Sequence, residues 1–330
     1  MLILWTDKEA SPMGDKEGMQ INDGRHFEVL INPSASSGRG MRVWKKVKKE
    51  LDARGVPYRK HILKAPGEAT LLVRDLTRNL SEDCHLLVLG GDGTLNEVLN
   101  GIEDFKHTVL SCLRTGSGND FAANIGIDKN LMAALDQLLN HPMETVLDYG
   151  EVRADDHEPR KFLISCGVGY DADICAEVSR SRLKKVMNRF GLGKLVYLMI
   201  GLKQIFTRNT TDAVLYLDGK KEVYLQKLFF LVGMQHPCEG GGVPFCPDAN
   251  SSDGLLDFCL ANNMSKGKRL LGVALVYFKK HLLLRSITCG RCKTMRLVCE
   301  KPQWIHFDGE TPYQAKEVLW VGRGKLRFEK

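Results

Sequence analysis

What this 330-residue sequence does not contain narrows the field first. No apolar run approaches the roughly 20 residues that a membrane-crossing helix needs. Leu195–Ile200 and Phe229–Val232 have the length of core elements instead. The first five residues are apolar, but Asp7 and Glu9 follow at once, too soon for a secretory signal, so a cytoplasmic protein is expected. There is no Gly-x4-Gly-Lys-Ser/Thr segment, which argues against a P-loop kinase. The net charge of +7 is not gathered into a basic stripe with interleaved aromatics. Nucleic acid is therefore not the expected partner, and a mild positive charge suits an anionic membrane surface or a phosphorylated substrate. The ten cysteines are scattered, as buried reduced thiols are. Their one close pair, Cys289-Gly-Arg-Cys292 with Cys299 beyond, lacks the second pair that such a zinc motif needs, so no zinc site is expected there.

What is present is organised around Gly90-Gly91-Asp92-Gly93-Thr94-Leu95-Asn96-Glu97. The run His85–Leu89 before it reads as a buried strand, and Leu95–Ile102 reads as a helix. Thr94 as N-cap with Glu97 three residues on makes a capping-box pattern. Glycines let the backbone come close to a ligand, and free N–H groups at a helix start suit an anion such as phosphate. Asp92 fits such a place if a cation stands between it and the phosphate, or if it orients a neighbouring donor. Arg114-Thr115-Gly116-Ser117-Gly118-Asn119-Asp120-Phe121 repeats the strand–loop–helix pattern. The hydroxyls of Thr94 and Ser117 are expected to face a polyphosphate between the loops. Arg114 adds a phosphate contact or is simply solvated.

The length suggests two domains at roughly 150 residues each. Residues 1–25 read as a loosely ordered polar arm and 26–144 as an α/β nucleotide-binding domain. Strands are expected at Phe27–Asn32, Tyr58–Leu63, His85–Leu89 and Val109–Leu113, alternating with helices, which argues for a parallel sheet. Loops Ser34–Gly40, Gly90–Thr94 and Arg114–Asp120 then share its carboxyl edge, where ligands of such sheets bind. From residue 145 to 330 strand-like runs dominate, among them Lys161–Cys166, Met295–Cys299, Ile305–Phe307 and Val318–Val321. Helices are expected at Asp171–Leu183, Leu192–Phe206 and Lys266–His281. The basic and apolar mixture of Arg180–Phe206 suits either a bilayer surface or a core helix. The Gly240–Asp257 segment reads as a long loop in which Asp253 and nearby carbonyls suit a hard cation or a simple turn. Asp308 and Glu310 flank a glycine after a strand, where either can accept a proton from a hydroxyl or merely close a turn.

Taken together, Asn32-Pro33 with Ser37-Gly38, Gly90–Glu97, Gly116–Ala122, Gly167–Ala172, Gly241–Asp257 and Asp308–Glu310 resemble the diacylglycerol kinase catalytic-domain family, the soluble bacterial lipid kinases that are also similar to sphingosine and ceramide kinases. The resemblance spans Phe27 to the C-terminus. It implies an α/β nucleotide domain and a C-terminal β-sandwich with the active site in the cleft between them. It implies that Asn32, Ser37, Gly38, Gly91, Asp92, Gly93, Thr94, Leu95, Asn96, Glu97, Gly116 and Ser117 border ATP. Asp92, Asp120 and Asp148 would serve a catalytic Mg2+, and Asn250, Asp253 and Leu255 a structural one. Glu310 matches the general base, with Asp308 next in line. The implied reaction is phosphorylation of a lipid hydroxyl, diacylglycerol first, at an anionic membrane surface reached peripherally; a homodimer is allowed. The alternatives are a sphingoid or phosphatidylglycerol-like lipid, NAD, or a non-catalytic lipid-binding protein on a kinase scaffold.

Overall fold

The computed structural model describes residues 24–181 and 193–330. The polar arm expected at Met1–Arg25 falls almost wholly outside them, as does the 182–192 part of the basic segment. The elements run β1 (Phe27–Ile31), α1 (Ala35–Gly38), α2 (Gly40–Ala53), β2 (Tyr58–Ile62), α3 (Glu68–Leu76), β3 (Cys84–Gly90), α4 (Asp92–Gly101), β4 (Thr108–Arg114), α5 (Asp120–Asn124) and α6 (Leu131–Asn140). They continue with β5 (Glu144–Ala154), β6 (Arg160–Phe162), β7 (Ser165–Gly169), α7 (Tyr170–Arg180), α8 (Gly193–Thr207), β8 (Thr211–Leu217), β9 (Lys221–Met234), β10 (Leu256–Asn262), α9 (Lys266–Tyr277), β11 (Ile287–Cys292), β12 (Thr294–Phe307) and β13 (Gln314–Glu329).

The first four strands are parallel, in the order β2-β1-β3-β4. Every residue of β1, Phe-Glu-Val-Leu-Ile, is buried because helices cover both faces. Trp44, Val47 and Leu51 form the buried stripe of α2. β2 closes the edge with Arg59, Lys60 and His61, charged and polar side chains that discourage further pairing. The chain reverses direction across the sheet between β1 and β3, which opens a crevice at their carboxyl ends. The loops after β1, β3 and β4 share that edge.

The second half is antiparallel, and its strands join the first half through β13. This 16-residue strand starts beside β12, pairs along its length with β5, and ends parallel to β4 at Arg327 and Phe328. Trp320 is buried in the sandwich core with Phe307 and Val152. Leu326 and Phe328 are buried in the α/β core with Phe121 and Leu147.

Three local expectations change. Lys161–Cys166 is two strands, because the amides of Leu163, Ile164 and Ser165 turn away from strand partners to a single carboxylate, Asp308. Met295–Cys299 and Ile305–Phe307 are one strand whose register shifts between Val298 and Gln303. The helix expected to His281 stops at Tyr277, and His281–Leu283 form a separate 3-10 turn beyond Lys279 with its positive φ.

Because Phe328 lies in the first core although it is the last apolar residue of the chain, Phe328→Ala is expected to lower stability by about 3–5 kcal/mol. Urea unfolding followed by circular dichroism checks it, and a change under 1 kcal/mol would show that the last strand is dispensable to the α/β half.

Candidate active site

The two glycine-rich loops meet backbone to backbone. A Cβ on Gly91 would stand 3.2 Å from the Gly116 Cα, and one on Gly116 would stand 2.5 Å from the Gly91 Cα. Gly91, with extended backbone, is the residue that caps α4, and no side chain occupies the helix start. Thr94 is therefore not the cap. It sits inside the first turn, 7% exposed, and its Oγ1 accepts a 2.9 Å hydrogen bond from Asn32 Nδ2. That bond ties the loop after β1 to the loop after β3 across the crevice. Thr115 is buried and donates to the Gly90 carbonyl, and Asn119, with φ of 55°, folds its amide onto both backbone groups of Gly116. Ser117 is left exposed at the rim.

Asp92 orients donors. Its carboxylate accepts from the backbone N–H groups of Asp120 and Phe121, each at 3.1 Å, and so holds the start of α5. Burial raises its pKa despite those bonds. Asp120 in turn accepts from Gly241 N at 2.9 Å, reaching into the second half of the chain. A Cβ on Gly118 would stand 3.0 Å from Asp92 Oδ2 and 3.5 Å from Asp120 Oδ2, so both acids face the same glycine gap. Asp148 does not join them at one point. It accepts from Gly254 N at 2.7 Å and pairs with Lys325 at 2.5 Å, while its own N–H donates to Ser251 O. It thus fastens the Asn250–Leu255 loop. Within that loop Asn250 Oδ1 accepts from Ser252, and Asp253 Oδ1 accepts from Leu255 N with Arg291 3.9 Å from its other oxygen.

Glu310 stands over the start of α4. Its Oε1 is 2.8 Å from where a Cβ on Gly93 would be, so any side chain there would push the carboxylate aside. The turn Asp308-Gly309, with φ of 48° and 89°, carries it there. Burial raises the Glu310 pKa, Arg160 at 3.7 Å pulls it down, and Glu97 and Asp308 push it up again. Asp308 has a different position from the one expected of a proton acceptor. It is buried, and its two oxygens accept from Leu163 N, Ile164 N, Ser165 N and Asn96 Nδ2 at 2.8–3.0 Å. No lone pair is left for a substrate hydroxyl.

The inward face of α4 also changes the expected nucleotide border. Leu95 is buried in the α/β core. Asn96 is fully buried, with Nδ2 on Asp308 and on Lys161 O, and Oδ1 accepting from Arg160 and Asn100. What faces the crevice is the backbone of Gly91–Gly93. Gly38, with φ of 92°, ends α1, the short helix that includes Ser37. Arg114 turns to the Ala122 carbonyl at 3.2 Å and is not simply solvated.

Sequence reasoning missed Arg160, which touches both Glu310 and Asn96 and lies over the Phe307 ring. Its only signal was a position before a strand. It also missed the buried group behind the site. His306 bonds Asp171 at 2.7 Å and stands 3.9 Å from Glu239, which Ser165 Oγ also contacts. Burial opposes charge on His306, but the two carboxylates carry its pKa up to about 9. These residues are 60 or more positions apart along the chain, apart from the Asp171 neighbourhood of Ser165, and no local pattern links them.

Two adjoining family matches follow this geometry: residues 26–152 match the diacylglycerol kinase catalytic domain, and residues 164–319 match the YegS C-terminal NAD kinase beta sandwich-like domain. The chain belongs to the diacylglycerol kinase catalytic-domain family. Among relatives of this lipid kinase family, the Bacillus subtilis (strain 168) protein named "Putative lipid kinase YtlR" is 29% identical over 297 residues, covering 88% of this chain and 96% of that one. The diacylglycerol kinase of the same organism is 24% identical over 292 residues, with 87% and 90% covered. A crystal structure of one of the diacylglycerol kinases from Bacillus anthracis str. Sterne superposes with a TM-score of 0.62 over 92% of this chain and 96% of that one; at 17% identity this speaks to the fold. The fold expected of the family, an α/β catalytic domain followed by a β-sandwich, is the one observed.

Asp308→Asn would turn an amide N–H toward donors that now meet a carboxylate. It is expected to cost about 1–3 kcal/mol for each donor orphaned, while Glu310→Gln stays within about 0.5 kcal/mol of wild type. Thermal or urea unfolding of both variants distinguishes them; equal stability of the two would mean that Asp308 does not hold the Leu163–Ser165 turn.

Proposed function

We propose that this kinase transfers the terminal phosphoryl group of ATP to a hydroxyl of a lipid, with diacylglycerol as the acceptor, and that Glu310 is the general base. The observation that carries the reading is the placement of Glu310 against Gly93, over the start of α4, which no side chain caps. Phosphoryl transfer needs alignment and charge neutralisation more than covalent chemistry. The α4 N–H groups favour phosphate, and a carboxylate within reach of the same point accepts the acceptor's proton as the hydroxyl attacks. Arg160 favours the ionised form of Glu310 and helps to hold it in place. The paired oxygens of Asp92 and Asp120 around Gly118 are hard donors of the kind Mg2+ takes, so these two side chains would hold it. Mg2+ would supply charge neutralisation at the phosphates. Asp92 keeps α5 and its loop fixed meanwhile, and Asp120 couples that loop to Gly241.

A lipid acceptor fits the outer surface. Among the described residues no helix is long and apolar enough to cross a membrane. Yet α8 exposes Leu198, Met199, Leu202 and Phe206, with Leu198 and Met199 57% and 58% exposed. Leu198, Leu202 and Phe206 recur every four residues and so share one helical face. Next to it, α9 and the turn after it expose Leu271, Tyr277, Phe278 and Leu283, with Phe278 71% exposed. Arg269 joins the two helices by donating to the Ile205 and Arg208 carbonyls. Exposed Lys279, Lys280 and Arg285 flank the apolar tip. An apolar face rimmed by cations suits an anionic bilayer surface. The sandwich domain's likeness to NAD kinase keeps NAD as the second reading.

The test is Mg2+-dependent phosphate transfer from labelled ATP to diacylglycerol, sphingoid and phosphatidylglycerol-like lipids in mixed micelles, and to NAD. Transfer to a lipid that falls about 100-fold or more in Glu310→Gln supports the reading. Undiminished transfer in that variant, or labelling of NAD alone, overturns it. Because the base works ionised, activity is lost on the acid side as pH falls through the Glu310 pKa. That pKa lies above the ordinary carboxylate value, and Arg160→Gln, by removing its lowering partner, moves the acid limb to higher pH.

The surface reading has its own check. Leu198→Ser with Leu202→Ser is expected to weaken sedimentation with anionic vesicles several-fold and raise KM for long-chain lipid, with kcat for a water-soluble short-chain acceptor unchanged. Unaltered vesicle binding would place the contact elsewhere.

A further inference from the structure

The pair Cys289-Gly-Arg-Cys292 does not act as a unit. It lies on β11, where residues three apart point to opposite faces of the sheet. Cys292 faces the sandwich core and approaches the Leu256 carbonyl at 3.8 Å. Cys289 faces the other way, and there it meets three residues from elsewhere in the sequence. Cys259 on β10 is its direct cross-strand partner. His281 comes from the turn after α9, and its ring nitrogen and the Cys259 and Cys289 sulfurs lie within 4.8 Å of one another. Cys246, from the loop before β10, packs in the same cluster, and it follows Phe245, whose carbonyl lies 3.4 Å from the Cys289 sulfur and 3.0 Å from His281 Nε2.

We propose that Cys246, Cys259, His281 and Cys289 form a structural zinc site that fastens the β10–β11 face of the sandwich domain to the turn after α9. Three sulfurs and one imidazole are a complete tetrahedral donor set for zinc with no open position, which marks a structural ion over a catalytic one. At a Zn–S length of about 2.3 Å, tetrahedral ligands stand about 3.8 Å apart, so Cys259, His281 and Cys289, already within 4.8 Å of one another, need only small movements, and a turn of the Cys246 side chain would complete the set. Soft thiolates select zinc over the hard Mg2+ that the phosphate site would take.

The imidazole is prepared for the role. Its Nε2 lies 3.0 Å from the Phe245 carbonyl, which accepts a hydrogen bond from the ring and fixes the neutral tautomer. Metal-bound histidines are oriented by such a carbonyl on their second nitrogen. Nδ1 then carries the lone pair, and it is buried without a hydrogen-bond partner. The residue as a whole is 1% exposed. Ordinary core packing accounts for buried thiols, but it leaves this buried nitrogen unpaired, which is costly. The surroundings, Phe230, Phe245, Met264 and Ile287, are apolar and offer no competing donor for it. On binding, zinc displaces the thiol protons to solvent.

The site would act on the neighbouring surface. His281 points inward while Leu282 and Leu283, the next two residues, point out beside Phe278. An ion holding His281 would therefore pin the base of the exposed apolar tip. The site itself does not depend on the kinase reading.

The experiment uses the full chain, produced without a metal-affinity step, kept reduced and dialysed against buffer. Elemental analysis is expected to find about one zinc per chain. Replacing zinc by Co2+ is expected to give the thiolate-to-cobalt charge-transfer bands and intense visible bands of a tetrahedral sulfur-rich site. Cys289→Ser and His281→Gln should each lose at least tenfold in bound zinc, and Cys292→Ser should keep it all. Should a variant fail to fold, wild type treated with a thiol-reactive mercurial should release zinc in step with three cysteines. Less than a tenth of an equivalent of metal with no cobalt–thiolate bands would overturn the proposal. So would a Cys259–Cys289 disulfide as the main species in the reduced preparation, or equal metal loss in Cys292→Ser.

Discussion

The carboxylate of Asp308 is the contact on which the site depends. Its oxygens gather the N–H groups of Leu163, Ile164 and Ser165 and the side-chain amide of Asn96. The first three lie at the break between β6 and β7, and Asn96 lies on α4 of the α/β half. One buried anion thus binds α4, whose start no side chain caps, to the hairpin that carries Glu310. A buried charge is tolerated only when its lone pairs are satisfied, and four donors satisfy these. Glu310, two residues further, inherits its position from that arrangement and from the left-handed backbone of Asp308 and Gly309.

The same economy appears in the strands. β5 and β13 each have one end in the α/β core and the other in the sandwich core. They run antiparallel over most of their lengths, so the two halves share a continuous hydrogen-bonded ribbon. The crevice between the halves is bordered by rigid strand instead of a flexible linker. Asp120 with Gly241 and Asn124 with Cys238 add polar contacts across it.

Acidic groups here divide by environment. Asp308 and Glu239 are buried and orient backbone or side-chain donors, and burial raises both of their pKa values. Glu310 keeps part of its side chain in solvent and faces Arg160. Chemically similar residues therefore serve different ends: the sealed ones hold geometry, and the half-open one is available to exchange a proton.

The sequence by itself determined the parallel sheet, its three carboxyl-edge loops and the family, because continuous apolar runs, glycine turns and short motifs are local properties. It also marked Gly91, Asp92 and Glu310, whose spacing within short motifs carries the signal. Only the tertiary structure decided that Thr94 is packed against Asn32 and does not cap α4, that Asp308 is saturated by amides about 145 residues away in the chain, and that Asp148 fastens the Asn250–Leu255 loop. It alone separated Cys289 from Cys292 and set Cys289 beside Cys259 and His281. The reason is common to all of them. Side-chain partners are chosen by which faces of strands and helices meet, and that depends on pairing register between segments far apart, which no window along the chain contains.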